Sequence, residues 1–315
     1  MWTIFRKELA DHFSSVRFLI LLCLIVMVTL VITYMVGINL RQELSGGSKP
    51  GSVFLLLFTT SGRFFSLSQF IAFFGPLLGI IMGFDAINRE QSAGTLSKLI
   101  SQPIYRDDII NGKFLAGVLT IAVLFTSLIL LIAGLGLLTV GAVPGVNEAA
   151  RLLLYLLVSI AYVSFWLGLS IVFSILFRSV ATSALAGVAL WIFLAFFTGF
   201  CASLVADAVA PVKSRQNPEQ VMANRELQQN IGLVSPVHLY TQATSTLLDP
   251  YRKTSKQFVL VGTMENISMN RFQNPLSLGQ SLLVVVPYLT GLLALTVVCF
   301  GAAYICFLRR EIRSA

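Results

Sequence analysis

Between Asp85 and Lys113 the chain carries four basic residues (Arg89, Lys98, Arg106, Lys113) and four acidic ones (Asp85, Glu90, Asp107, Asp108), set between two long apolar runs. Inside this charged stretch Leu96, Leu99 and Ile100 stand at i, i+3 and i+4, one face of a helical turn or two. Gly94 allows a sharp turn into that short helix. Pro103 closes it, because proline disfavours helical backbone in the residue before it. Asp107 and Asp108 then suit the exposed amides at the start of the next helix. The chemistry of such a segment is recognition. A small amphipathic helix held between two membrane spans buries its apolar face either on lipid headgroups or in the groove of a soluble partner.

Catalytic constellations are missing from the sequence. Gly112-Lys113 is followed by Phe114 and nothing before it would cradle phosphate, so the chain is expected to bind no ATP and to be no enzyme. Gly-x-Ser-x-Gly, His-Glu-x-x-His and paired intramembrane carboxylates are also absent. His238 stands without a carboxylate or thiol at ligand spacing, and no metal is expected. The centres of the apolar segments hold no Lys, Arg, Asp, Glu or His, where ion-coupled transporters place such groups. Work from outside the membrane part would only have to switch it between two arrangements.

The elements that must position the loop are membrane helices. With 56% apolar and 11% charged residues, the chain is not a soluble globular protein. Six segments are long and apolar enough to cross a hydrocarbon core: 18–38, 64–84, 114–140, 152–177, 180–206 and 281–308. Basic residues set the orientation. Arg6, Lys7, Arg17, Arg89, Lys98, Arg106, Lys113, Arg178, Arg309, Arg310 and Arg313 fall on one side, against Arg41, Lys49, Arg63 and Arg151 in short loops on the other. Both termini are therefore expected in the cytoplasm. The net charge of +8 reads as a collar for anionic headgroups, with no nucleic acid implied. All four cysteines (Cys23, Cys201, Cys299, Cys306) fall in spans and read as apolar packing residues.

Residues 1–17 read as an interfacial amphipathic helix, with Trp2, Phe5, Leu9, Phe13 and Val16 at helical spacing. The apolar run that follows is too long for a signal peptide. Pro76 would kink the second span, which is rich in phenylalanine. Residues 207–280 form an extracytoplasmic segment, expected as a helical cap. Asn217-Pro218 and Ser235-Pro236 start helices, Asp249-Pro250 ends the second, and 258–261 is a candidate strand. Asn266-Ile267-Ser268 fits a glycosylation sequon. The domain plan is 1–17, then 18–206 with spans one to five and the loop 85–113, then 207–280, then 281–315. The fold class is an all-α, six-span membrane protein.

Glu90, Gly94-Thr95-Leu96, Pro103, Arg106 and Gly112-Lys113 resemble the loop signature of type-2 ABC permeases, the group that includes NosY-like membrane subunits of ABC exporters. The FRKEL string at Phe5–Leu9 and SPVHLYTQATSTLLDP at 235–250 resemble segments of the same family. The resemblance implies a permease subunit of an exporter in a prokaryotic plasma membrane. Its loop would be the cytoplasmic coupling helix, with Glu90, Gly94, Thr95, Leu96, Leu99, Ile100, Arg106 and Lys113 meeting the ATPase or, for Glu90 and Arg106, holding the loop's shape. Two cytoplasmic ATPase subunits would carry ATP and Mg, and a second permease copy, identical or related, would complete the assembly. Spans two and five would line the path, so Phe70, Phe73 and Phe74 either touch substrate or pack. Ser183 and Gly187, four residues apart in span five, mark a helix contact, at the dimer interface or within one subunit. The rival readings are a non-transporting membrane anchor that recruits an ATPase, and a membrane-embedded enzyme.

Overall fold

The computed structural model describes residues 1–44, 53–60, 66–95, 105–141, 143–211, 218–251 and 276–309. The candidate strand at 258–261 and the sequon at Asn266 lie outside them. Among the described residues the chain is helical throughout, with no strand. The helices are α1 (Trp2–Ser14), α2 (Val16–Leu44), α3 (Val53–Thr59), α4 (Leu67–Gly83), α5 (Asn88–Ser92), α6 (Arg106–Val140), α7 (Val146–Leu176) and α8 (Val180–Ile192). A π-helical turn at Phe193–Phe197 leads into α9 (Thr198–Val209), followed by α10 (Pro218–Gly232), α11 (Pro236–Leu248) and α12 (Leu278–Arg309). Six stretches are long and apolar enough to cross a membrane, as the sequence predicts: α2, α4 with its extension through α5, α6, α7, α8–α9 and α12.

The core is α7, packed between α4 and α12. Tyr155, Tyr162 and Trp166 are fully buried on it. Its contact with α4 is set by a glycine row, Gly75, Gly79 and Gly83, at the four-residue spacing that lets helices approach closely. A Cβ at Gly79 would lie 2.7 Å from the Val163 carbonyl oxygen, and one at Gly83 would lie 2.8 Å from that of Leu167. Any larger residue would push the two backbones apart. Ser170 adds a hydroxyl bond of 2.9 Å to the Ile80 carbonyl on the same seam. Ser66 caps α4 in a reciprocal capping box with Gln69, which fixes where the span begins.

The helices expected in the segment after span five are present, but α11 is inserted into the end of the bundle and does not lie over it. It packs against α12, α7 and α4. Tyr240 stacks on Tyr162 with ring centroids 4.3 Å apart, and its hydroxyl meets Ser159 at 2.9 Å. Ser159 sits about 20 Å along α7 from Val146. The polar residues of α11 tolerate burial because they bond their own helix: Thr244 donates to the Tyr240 carbonyl and Thr246 to that of Gln242. The short α3 is buried beside it.

Arg151 departs from the expectation of a loop residue ahead of span four. Glu148 accepts from the Gly145 amide, so α7 starts at Val146 and Arg151 lies in its second turn, 4% exposed. Its guanidinium donates to the Leu247 carbonyl (3.1 Å) at the end of α11, to the Leu276 carbonyl (2.7 Å) and to the Ser281 hydroxyl (3.0 Å) in α12. One side chain thus ties three segments at the α11 end.

Candidate functional site

The opposite end of the bundle gathers α1, α5 and the first turns of α6. The α1 helix lies against α6, where Ile4 is buried and a Cβ at Gly112 would come within 2.9 Å of its Cγ2. The charged loop leaves α4 at Gly83 and is pinned at once. The Ser174 hydroxyl, from the last turn of α7, accepts from the amides of Ile87 (2.9 Å) and Asn88 (3.2 Å), which have no helical partner at the start of α5. Asn88 is wholly buried and donates to the carbonyls of Phe84 and Ser179.

At the centre stands Lys113, 5% exposed, whose Nζ lies 2.9 Å from Glu8 Oε1 of α1 and 2.9 Å from Glu90 Oε1 of α5. A buried ammonium needs such company, since desolvating a lone charge is costly. Lys7 approaches Glu8, Asp11 and Glu90 from the exposed side. Arg17, at the start of α2, pairs with Asp85 at 2.7 Å and lies over the Phe84 ring. These contacts clamp α1 and the loop together around a cavity of about 720 Å³, with Lys7, Glu8, His12, Asp85, Glu90 and Lys113 on its walls and Phe18 and Met82 on its apolar side.

The electrostatics follow from this packing. Burial pushes the Glu8 carboxyl up, but Lys113 and Lys7 outweigh it and hold the group below its ordinary range. Burial lowers the His12 imidazole, and the attraction of Glu8 and Asp85 does not make up for it. Burial also works against the Lys7 ammonium, yet Glu8, Glu90 and Asp11 raise it overall.

Of the residues read from the sequence, Glu90, Gly94, Thr95, Arg106 and Lys113 fall in this region, while Leu96, Leu99 and Ile100 lie outside the described residues. Gly94 ends α5 with φ of +67°, a left-handed conformation that glycine adopts without strain. The Thr95 hydroxyl donates to the Glu90 carbonyl across that turn. Arg106 opens α6, with Asp107 and Asp108 in the first turn. Lys113 and Glu90 point inward as parts of the clamp. Phe70, Phe73 and Phe74 form an aromatic cluster on α4, and Phe73 reaches Trp191 (5.0 Å) and Phe196 (5.7 Å) of span five. Ser183 is wholly buried, and a Cβ at Gly187 would come within 3.1 Å of Ile80, so this row faces α4 within the chain. Glu8, Asp85, Asn88 and Ser174 complete the site and were not singled out by spacing. Glu8 lies within the FRKEL string, but its partner is 105 residues away.

A sequence model of the family described as ABC-2 family transporter protein matches residues 2–312. The chain belongs to that family. Within the ABC-2 family it is similar to two proteins named "Probable ABC transporter permease protein NosY". The match to the Pseudomonas aeruginosa protein is 31% identical over 122 residues, covering 39% of this chain and 40% of that protein. The match to the Stutzerimonas stutzeri protein is 30% identical over the same length and shares of each. The likeness thus spans less than half of either relative. The type-2 permease resemblance read from the loop is borne out by the family match, and the chain is a membrane-spanning ABC-2 protein.

Proposed function

We propose that this chain is the permease subunit of an ATP-driven ABC exporter, working with a second permease copy and two ATPase subunits that hold ATP and Mg. The end carrying α1, α5 and the loop faces the cytoplasm, and the face of Leu96, Leu99 and Ile100 docks into an ATPase groove. The observation that carries this reading is the clamp. Lys113 joins Glu8 and Glu90, Ser174 caps α5, and Gly94 ends that helix in a left-handed turn, so the described part of the loop forms a fixed base. A base tied to α1, α6 and α7 at once passes a push on the loop to three helices. A free loop would absorb it. The names of the two relatives support the permease reading, and the positive collar on this side supports the orientation.

The test is Leu99→Asp. Burying one such side chain is worth roughly 1.5–3 kcal/mol, and a charge in an apolar groove adds a desolvation cost. Capture of the ATPase is expected to weaken at least about tenfold, with insertion and folding intact and transport lost. Lys98→Ala keeps the apolar face and is expected to bind as the parent does. An undiminished complex with normal transport from Leu99→Asp would remove the loop from the coupling role. An intact ATPase complex without substrate movement in the parent protein would favour the anchor reading.

A further inference from the structure

Pro76 lies inside α4 and has no amide hydrogen, so the carbonyl four residues earlier, that of Ala72, loses its helical donor. In a membrane an orphaned carbonyl must be satisfied by a neighbouring helix. Tyr162 of α7 does this, its hydroxyl donating to the Ala72 oxygen at 2.7 Å. The two sides of the proline are held in different ways. Toward α5, Gly79 and Gly83 bring backbone against backbone, and Ser170 bonds the Ile80 carbonyl. Toward α11, the helix meets α7 through softer contacts, Gly75 against the Val163 side chain and the single Tyr162 hydroxyl bond. The Tyr162 ring also stacks on Tyr240 of α11.

We propose that Pro76 is a joint in α4 and that Tyr162 is the positioning residue that latches it. The half from Leu67 to Gly75 swings about Pro76 when the hydroxyl leaves Ala72, while the half from Leu78 to Gly83 stays fixed on α7. Because the same ring carries Tyr240, a shift of Tyr162 at the latch reaches α11, which the Tyr240–Ser159 and Arg151–Leu247 bonds still hold to α7. The joint is a property of this chain. Only its use, to open the α11 end during a transport cycle, rests on the permease reading.

The experiment uses the full chain in lipid nanodiscs without any ATPase, so its result does not depend on that reading. Spin labels at Ser68 and Leu153 report the α11 end, and labels at Arg89 and Arg178 report the other, in a background lacking the four native cysteines. The parent is expected to give one dominant distance for each pair. Tyr162→Phe removes only the hydroxyl and is expected to raise a second, longer Ser68–Leu153 distance by about tenfold in population, the consequence of an unmet buried carbonyl. The Arg89–Arg178 distance is expected to stay unchanged. Pro76→Ala restores the amide donor to Ala72, so Tyr162→Phe/Pro76→Ala is expected to return to one distance. Tyr240→Phe keeps the stack and loses the Tyr240 bond to Ser159, whereas Tyr240→Leu keeps the Tyr162 hydroxyl but loses both stack and Ser159 bond. Tyr240→Leu is expected to raise the same second distance by a smaller factor and Tyr240→Phe to leave it near the parental level. A lower melting temperature in Tyr162→Phe with parental distances would mean that the hydroxyl only stabilises. That result, equal broadening of both pairs, or failure of Pro76→Ala to rescue would each overturn the joint.

Discussion

Lys113 and Arg151 are both cations buried at opposite ends of the helix bundle, and they are satisfied in different ways. Lys113 meets two carboxylates, on α1 and α5. Among the described residues Arg151 meets none and takes two backbone carbonyls and a hydroxyl from three separate positions. The side chains explain the division. A guanidinium spreads its charge over a planar fork of five donors and can serve several neutral acceptors at once. An ammonium is a compact point charge, and once dehydrated it calls for opposite charge. The buried cation of the α1 end is therefore held by groups that titrate, and among the described residues that of the α11 end is held by groups that do not.

The largest effect is expected from Lys113→Met, which leaves two largely buried carboxylates facing each other. Breaking a buried pair in this way costs roughly 3–5 kcal/mol. Amides of α1 should then exchange with deuterium much faster, while those of α11 keep their parental rates. Equal loosening at both ends would mean that the two clamps are one cooperative unit. Arg151→Met should give the mirror image at a lower cost of roughly 1–3 kcal/mol, because the carbonyls it abandons are neutral. Loss of protection should centre on α11 and the start of α12. Protection of α11 that survives this change would show that the Tyr240 contacts and apolar packing hold the helix without Arg151.

The smallest effect is the pH response. His12 has a lowered folded value, so its contribution is complete above its ordinary range near about 6.5 and fades as pH falls through the folded value. Glu8 is also lowered, so its share is retained until pH falls below about 4.5 and is lost beyond that. Between about pH 7.5 and 5.5 the α1 amides should lose protection after correction for intrinsic rate, and His12→Asn should abolish that step. Because α11 carries a buried imidazole of its own, His238, its amides are compared in a His238→Asn background, where no such step is expected. A matching step there would dissolve the contrast between the two ends.

The six spans were legible because an apolar run long enough to cross a membrane needs no knowledge of its neighbours. The Gly94 turn and the start of α6 at Arg106 were legible for a similar reason, since both depend on local backbone preferences. The clamp was not. Nothing in the spacing around Lys113 points to Glu8, and the pairing exists only once α1 lies on α6. Arg151 misled for a related reason: a charge beside an apolar run reads as a boundary until its distant acceptors are known. The insertion of α11 was hidden by His238, Gln242, Thr244 and Thr246, polar residues that are buried all the same, Thr244 and Thr246 by bonding their own helix. The Gly75, Gly79 and Gly83 row stands in the sequence, but spacing alone does not say which helix it meets.

The order of the chain adds a consequence for how the protein is made. When Lys113 leaves the ribosome, Glu8 and Glu90 have already been synthesised, so the α1 end can close as soon as α6 is in place. Arg151 has the opposite fate, because its acceptors follow it by 96, 125 and 130 residues. At about 5–20 residues per second that is a wait of roughly 6–26 seconds for the last of them. Until Leu247 is made, 96 residues on, the guanidinium has none of its three final acceptors, and the full set waits for Ser281. The nascent chain thus seals one end early and holds the other open until its final helix is threaded, and a chain that stops before Leu276 never closes it.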